Sequence, residues 1–179
     1  EKINIISKNT ASKKTIIDRH IVDSAQIIDF VDLKSNTTTD LGSGGGFPGI
    51  IIAIILKNMK NNMNVHLYEK SYRKSNFLQE VSKKLSLNTK VFQKNIFEIK
   101  NVETGTIMSR AFKPMPVVLN LVYENFLKYK NLIFFMGKSG KSVFENSKKN
   151  WKLEYTEKKS LTNKDSFLLN IKKIKKKNR

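Results

Sequence analysis

Apolar positions along this chain keep two periods, and each change of period marks a new element. Between residues 14 and 30 they fall at Ile16, Ile17, Ile21, Val22, Ala25 and Ile28, the spacing of one face of an amphipathic helix. Arg19, His20 and Asp23 ride on that helix, with Arg19 and Asp23 spaced for an i, i+4 ion pair. A smaller cluster, Ile3, Ile5 and Ile6, precedes it. Residues 37–41 then read as a strand. Ile50 to Leu56 is apolar without a break, so a buried helix is predicted over 47–57. Strict alternation returns at Asn64-Val65-His66-Leu67-Tyr68-Glu69, a strand that ends in a carboxylate. Ser71 suits an N-cap and opens a helix over 72–85, with Phe77, Leu78, Val81 and Leu85 as its core face and Arg73, Lys74, Lys83 and Lys84 outside.

The second half continues the alternation. A short strand is predicted over 90–93, then the pair Ile96-Phe97, a turn over 103–105 and a strand over 106–108 that leads into Ser109-Arg110-Ala111-Phe112. Pro114 and Pro116 open a helix through Leu127. Asn131-Leu132-Ile133-Phe134-Phe135-Met136 is continuously apolar after its first residue, as a strand buried on both faces should be. A helix follows Gly137–Lys141 and runs to about Lys149, and residues 152–158 and 166–173 form two further strands, antiparallel to each other. Lys172 to Arg179 reads as a basic tail that frays. Strand and helix alternating through the middle, with a strand pair at the end, predict an α/β fold. Its sheet is mostly parallel, with helices on both faces and a C-terminal antiparallel strand pair.

One stretch does not belong to either period. Five of the eight glycines lie between Gly42 and Gly49, in Asp40-Leu41-Gly42-Ser43-Gly44-Gly45-Gly46-Phe47-Pro48-Gly49, between a strand and a helix. Such a turn lets backbone N–H groups approach a ligand beside a helix N-terminus. Gly44, Gly46 and Gly49 satisfy the dinucleotide pattern G-x-G-x-x-G, with Glu69 placed to bind a ribose. Asp40, Gly42, Gly44 and Gly46 equally form a D-x-G-x-G-x-G loop for S-adenosyl-L-methionine, again with Glu69 as acceptor for the ribose hydroxyls. A phosphate loop ending in Gly140-Lys141-Ser142 is rejected, because Phe135 stands where its first glycine must be. Glycine spacing alone leaves the first two cofactors open.

Composition tips that balance. The formal charge is +19, from 34 lysines and arginines against 15 carboxylates, which points to a nucleic-acid partner even after allowing for a composition also rich in Asn and Ile. Charge and size together favour methyl transfer onto nucleic acid over hydride transfer to a small molecule. No cysteine is present, so disulfides, thiolate metal sites and cysteine nucleophiles are excluded, and His20 and His66 are too few for a histidine-based metal cluster. The longest apolar run is about ten residues short of a membrane span. No signal peptide is visible, so a cytoplasmic location without membrane contact is expected. At 179 residues the chain suits one domain, and its start at Glu1 rather than Met suggests that an N-terminal piece is missing.

Ordered landmarks narrow the reading further. They are Asn4-Ile5-Ile6-Ser7, Arg19-His20-Ile21-x-Asp23-Ser24, the glycine stretch with its Phe47-Pro48-Gly49-Ile50 tail, Arg73-Lys74-x-x-Phe77-Leu78, Ser109-Arg110-Ala111 and the strand-ending Met136-Gly137-Lys138. With them the chain resembles the RsmG (GidB) family of bacterial small-subunit rRNA methyltransferases over nearly its whole length. The resemblance implies a Rossmann-like class I fold and methylation of a guanine N7 in a conserved loop of 16S rRNA, on naked rRNA or the small ribosomal subunit, with S-adenosyl-L-methionine as donor. It carries the cofactor contacts onto Gly42, Phe47, Ile96, Phe97 and Arg110, beside Gly44, Gly46 and Glu69 from the spacing. The family often has a small residue and an acid where this chain has Ile96 and Phe97, so a side-chain acid contact there is lost unless Glu98 substitutes. Guanine N7 carries a lone pair and no proton. No general base is therefore required and none is assigned, with Arg110 the nearest candidate at the junction of cofactor and base. RNA contacts are expected at Arg19, His20, Arg73, Lys74 and Lys138, with added phosphate contacts along the basic tail. A monomer is expected. The alternatives are a cofactor-free RNA-binding protein on a decayed methyltransferase fold and an NAD-dependent oxidoreductase.

Overall fold

The computed structural model describes residues 12–177. The cluster Ile3, Ile5 and Ile6, the landmark Asn4–Ser7 and the last two residues of the basic tail lie outside the described residues. The chain enters through a helical segment that changes pitch. Helix α1 (Lys13–Ile16) is capped by Ser12, whose Oγ accepts the Thr15 N–H at 3.1 Å. It passes into a π-helical turn (Ile17–Val22), then α2 (Asp23–Ala25) and a 3-10 turn (Gln26–Phe30). The predicted helix is there, but the π turn shifts the phase of its side chains. Ile17, Ile21 and Val22 consequently stay exposed, while Ser24, Gln26 and Ile27 are buried. The expected Arg19–Asp23 pair assumes regular α pitch, and here the Asp23 carboxylate meets Arg110 instead.

Strand β1 (Thr37–Leu41) leads through the glycine loop into α3 (Gly49–Asn58), then β2 (Asn64–Tyr68), α4 (Tyr72–Lys84) and β3 (Thr89–Phe92). A 3-10 turn (Ile96–Glu98) and β4 (Val102–Glu103) precede β5 (Thr106–Ser109). Next come α5 (Met115–Asn125), β6 (Phe126–Lys128), β7 (Asn131–Met136), α6 (Gly140–Asn150), β8 (Trp151–Lys159) and β9 (Phe167–Lys176). The main sheet has seven strands in the order β3-β2-β1-β5-β7-β9-β8. It is parallel from β3 to β7 and antiparallel from β7 to β8. Chain order runs outward from β1 to β3 and then resumes on the other side of β1 at β5. That reversal opens a crevice at the carboxyl ends of β1 and β5.

Neighbouring residues of the central strands feed opposite faces, as the strand period of two demands. Ile107, Leu132 and Leu169 pack with α5 and α6 residues such as Val118, Leu119 and Phe144 in one apolar cluster. Met108, Ile133 and Leu168 pack with Ile27, Ile52, Leu56 and Leu78 in the other. No described helix is long and apolar enough to cross a membrane.

Five local expectations need correction. The turn predicted over 103–105 narrows to Thr104 and Gly105, because Val102 and Glu103 form β4, which pairs in parallel with β6 in a separate two-stranded sheet, and α5, expected through Leu127, stops at Asn125. Each of these strands is too short to show a period. Lys172 to Lys176 do not fray but continue β9, with Ile174 buried among them. Ser71 makes no side-chain cap, because its own N–H donates to Glu69 Oε1 at 2.8 Å and holds the turn from the other side. Leu85 lies past the end of α4 and is exposed, leaving Leu78 as the fully buried residue of that face.

Candidate cofactor and RNA site

A cavity of about 570 Å³ opens at the carboxyl ends of the central strands, within the range typical of small-molecule sites. Its walls are the loop after β1, the turns after β2, β3 and β5, and His20 from the π-helical turn.

The loop beneath the cavity is shaped by glycines at positions where a side chain would be strained and crowded. Gly42 has φ +66°, and a Cβ there would stand 2.2 Å from Phe112 Cδ2. Gly46 has φ +92°, with Ile50 Cγ1 2.6 Å from the same hypothetical atom. Two carboxylates then fix the loop by its backbone. Glu69, 8% exposed, accepts the Gly44 N–H through Oε2 at 2.9 Å and the Ser71 N–H through Oε1 at 2.8 Å. Asp40, 1% exposed, accepts the Gly49 N–H through Oδ2 at 3.1 Å. Burial pushes the Asp40 carboxyl up to about 7, against the opposing pull of the Gly49 hydrogen bond.

The position of Asp40 separates the two cofactors that the spacing left open. A dinucleotide places its pyrophosphate on the N-terminus of the helix after β1. Here the first two N–H groups of α3 already have partners inside the protein, Gly49's in Asp40 Oδ2 and Ile50's in the Gly46 carbonyl, which disfavours an anion there. Glu69, by contrast, still lines the cavity and keeps acceptor capacity beyond the two N–H groups it holds, as hydroxyl donors of a ribose require. The Gly140-Lys141-Ser142 segment begins α6, where Lys141 pairs with Glu157 rather than facing a phosphate cradle.

Opposite the glycine loop, Arg110 ties the entry helix to the end of β5. Its Nη2 lies 3.0 Å from Asp23 Oδ2 and donates to the Arg19 carbonyl at 2.5 Å, while Nη1 donates to Ser24 Oγ at 3.1 Å. Burial draws its pKa down, and Asp23 and then Asp40 oppose that shift. His20 packs against Phe47 with ring centroids 5.1 Å apart and the rings tilted by 34°, and its Nε2 is buried without a partner. Burial first and then the Arg110 charge lower its pKa, against the opposing pull of Asp23, a shift that favours the neutral ring. Next to Arg110, Ala111 adopts φ +47°, a conformation seldom taken by a residue with a side chain.

The apolar wall comes from Ile96, Phe97 and Phe112, with the two phenylalanine rings 6.0 Å apart. Phe97 N–H donates to Asn95 Oδ1 at 3.3 Å, and Asn95 Nδ2 donates to Glu98 Oε1 at 2.9 Å. Glu98 is not part of the cavity wall, so it does not stand in for the acid this chain lacks at Phe97.

Of the residues singled out in the sequence, His20, Gly42, Gly44, Phe47, Glu69, Lys74, Ile96, Phe97 and Arg110 come together around the cavity. Gly46 shapes the loop from behind, and Arg19 contributes its carbonyl to Arg110. Arg19, Arg73 and Lys138 are outside the wall. Sequence reasoning missed Lys70, Lys94 and Lys113, which line the cavity with Lys74. Their signal was available, since each follows the end of a parallel strand by only a few residues. Among the described residues no cluster of His, Asp or Glu could hold a metal ion.

A glycine loop under one end, a carboxylate at the end of β2, an apolar wall after β3 and a cationic rim define a class I methyltransferase architecture. Solved structures share it. The chain aligns with a TehB-like SAM-dependent methyltransferase from Corynebacterium glutamicum at TM-score 0.62 and 14% identity, covering 95% of this chain and 97% of that one. It aligns with TrmK of M. capricolum, solved with S-adenosyl-homocysteine, at TM-score 0.60 and 15% identity over 83% of this chain and 66% of that one. Sequence similarity is more specific. The profile of the family "rRNA small subunit methyltransferase G" (GidB) matches residues 1–171. A ribosomal RNA small subunit methyltransferase G from Pelagibacter ubique is 65% identical over 178 residues, 99% of this chain and 84% of that protein. The chain belongs to the GidB family of rRNA small subunit methyltransferases.

Proposed function

We propose that this protein transfers a methyl group from S-adenosyl-L-methionine to N7 of a guanine in 16S rRNA, acting as a monomer in the cytoplasm. The carrying observation is the lock between Glu69 and the Gly44 N–H, which holds the glycine loop and a ribose acceptor in one rigid cradle. In this reading Gly42 and Gly44 bring backbone close to the methionine part of the cofactor. Glu69 receives the ribose hydroxyls, and Ile96 and Phe97 cover the adenine. When bound, the cofactor supplies an electrophilic methyl on a cationic sulfur.

The residues at the mouth then have only to align and hold. Guanine N7 offers a free lone pair, so no side chain removes a proton, and His20 with its pKa lowered and an Arg110 held by Asp23, Ser24 and the Arg19 carbonyl are adequate neighbours. Alignment alone can contribute about 7–11 kcal/mol to lowering the barrier. Lys70, Lys74, Lys94 and Lys113 hold the RNA backbone at the rim, where N7 is accessible only if the base is presented from a loop.

Calorimetric titration tests the reading. Micromolar binding of S-adenosyl-L-methionine that disappears in Gly42→Asp is expected. Tight binding of NAD(H) with none of S-adenosyl-L-methionine contradicts it, and RNA binding with no cofactor affinity would establish the cofactor-free alternative.

A further inference from the structure

The pairing of β9 is longer on one side than on the other. Its register with β7 ends at the pair Leu132–Ile171. Its register with β8 continues to Trp151–Lys176. Residues 172–176, with the start of β8, therefore run past the last paired residue of β7 as a two-stranded ribbon, about 17 Å long at 3.4 Å per residue. Because Phe167 pairs with Met136 at the carboxyl end of β7, this ribbon lies at the end of the sheet opposite the cavity.

One face of the ribbon is anchored. Trp151 and Ile174 are buried in the larger apolar cluster, and Tyr123 of α5 packs edge-on against Trp151 at 5.4 Å. The other face is cationic. Lys152 sits directly opposite Lys175, and Lys173 opposite Glu154, so one carboxylate serves that face. Lys152, Lys172, Lys173 and Lys175 are exposed, and none takes part in an ion pair among the described residues. Like charges directly opposite in an antiparallel pair destabilise it. A chain of phosphates along this face would relieve that repulsion. A lipid surface would not be served, because the apolar residues of the ribbon point inward.

We infer that the β8–β9 ribbon is a second RNA-docking surface. It binds the phosphate backbone of an rRNA segment other than the one that presents the acceptor base. This rests on the rRNA methyltransferase reading. It adds that productive substrates must be long enough to reach both ends of the sheet.

The test compares full-length 16S rRNA with a short stem-loop carrying the acceptor guanine, using the whole chain and a variant with Lys152→Ser, Lys172→Ser, Lys173→Ser and Lys175→Ser. The variant should raise KM for the long RNA tenfold or more and flatten the salt dependence of its binding by about three log units per log unit of salt. KM for the stem-loop and affinity for S-adenosyl-L-methionine should not move. Unchanged KM and salt dependence on the long RNA overturn the inference. So does an equal loss on both RNAs, which would reflect net charge alone. New self-association with unchanged KM would also overturn it, by showing that the lysines only guard a sheet edge. If the unmodified chain methylates neither RNA, the underlying functional reading fails instead.

Discussion

The two sides of the cavity mouth are built on different principles. On the glycine-loop side, backbone groups are held by buried carboxylates, Asp40 on Gly49 and Glu69 on Gly44 and Ser71. On the opposite side, Lys94 and Lys113 reach the mouth on long, flexible stems, outside the ion pairs found among the described residues. A small ligand of fixed shape needs the first kind of surface. A polyanion held mainly by charge needs the second, because phosphates can be met from many side-chain positions. The difference teaches that cofactor binding and RNA binding should be separable by mutation, although they share one cavity.

The harshest way to break that separation is Gly42→Asp. The new side chain must adopt φ +66° and enter the space of the Phe112 ring. Loss of S-adenosyl-L-methionine affinity by a factor of at least about 100 is expected, at two to three kcal/mol for steric and backbone strain together. RNA binding measured by filter retention should stay within twofold. Next comes Glu69→Gln, which keeps the shape and removes the charged acceptor. A hydrogen bond to a charged group contributes about 1.5–3 kcal/mol, so cofactor affinity should fall roughly 10- to 150-fold. An equal fall in RNA affinity would merge the two surfaces and defeat the comparison.

Smaller effects come from the other side. Lys94→Ser with Lys113→Ser should raise KM for rRNA about threefold to tenfold, with a shallower salt dependence and unaltered cofactor affinity. A test of another kind concerns stability rather than binding. Asp40 has a folded pKa raised to about 7 from an ordinary 3.8, so the folded state binds its proton more tightly than the unfolded chain does. Its contribution is fully present below about 3.8 and is lost as pH rises toward about 7. In Asp40→Asn, whose amide oxygen can still accept the Gly49 N–H, that loss should vanish. Thermal melts between pH 4 and pH 8 should show a flatter profile than the parent chain. A steeper one would mean that Asp40 is not the group responsible.

The fold was legible where period and burial agree. Continuous apolarity from Leu132 to Met136 marks a strand that β5 and β9 flank on either side. Alternation from Asn64 to Glu69 marked β2, which ends one residue earlier, at Tyr68. It was illegible where a few residues decide. Val102–Glu103 and Phe126–Lys128 form strands only because they meet each other. The π-helical turn leaves Ile17 and Ile21 exposed on a stripe that reads as a core face, because the stripe assumes a constant pitch. The site divides along the same line. Gly42, Gly44 and Glu69 announce themselves, since positive φ and a strand-ending acid have few other uses. Lys70, Lys94 and Lys113 do not, since in a chain this rich in lysine no single one stands out until the turns bring them to one rim. Arg110 is legible as a landmark, but its partners Asp23 and Ser24 come from a segment more than eighty residues away, as the separation of 86 to Ser24 illustrates.

One measurement bears most directly on the whole account. The protein is incubated with methyl-labelled S-adenosyl-L-methionine and 16S rRNA, and the labelled nucleoside is identified and mapped. A single labelled 7-methylguanosine is expected, absent in Gly42→Asp. Label on any other atom or base, or no transfer by a chain that binds the cofactor, contradicts it.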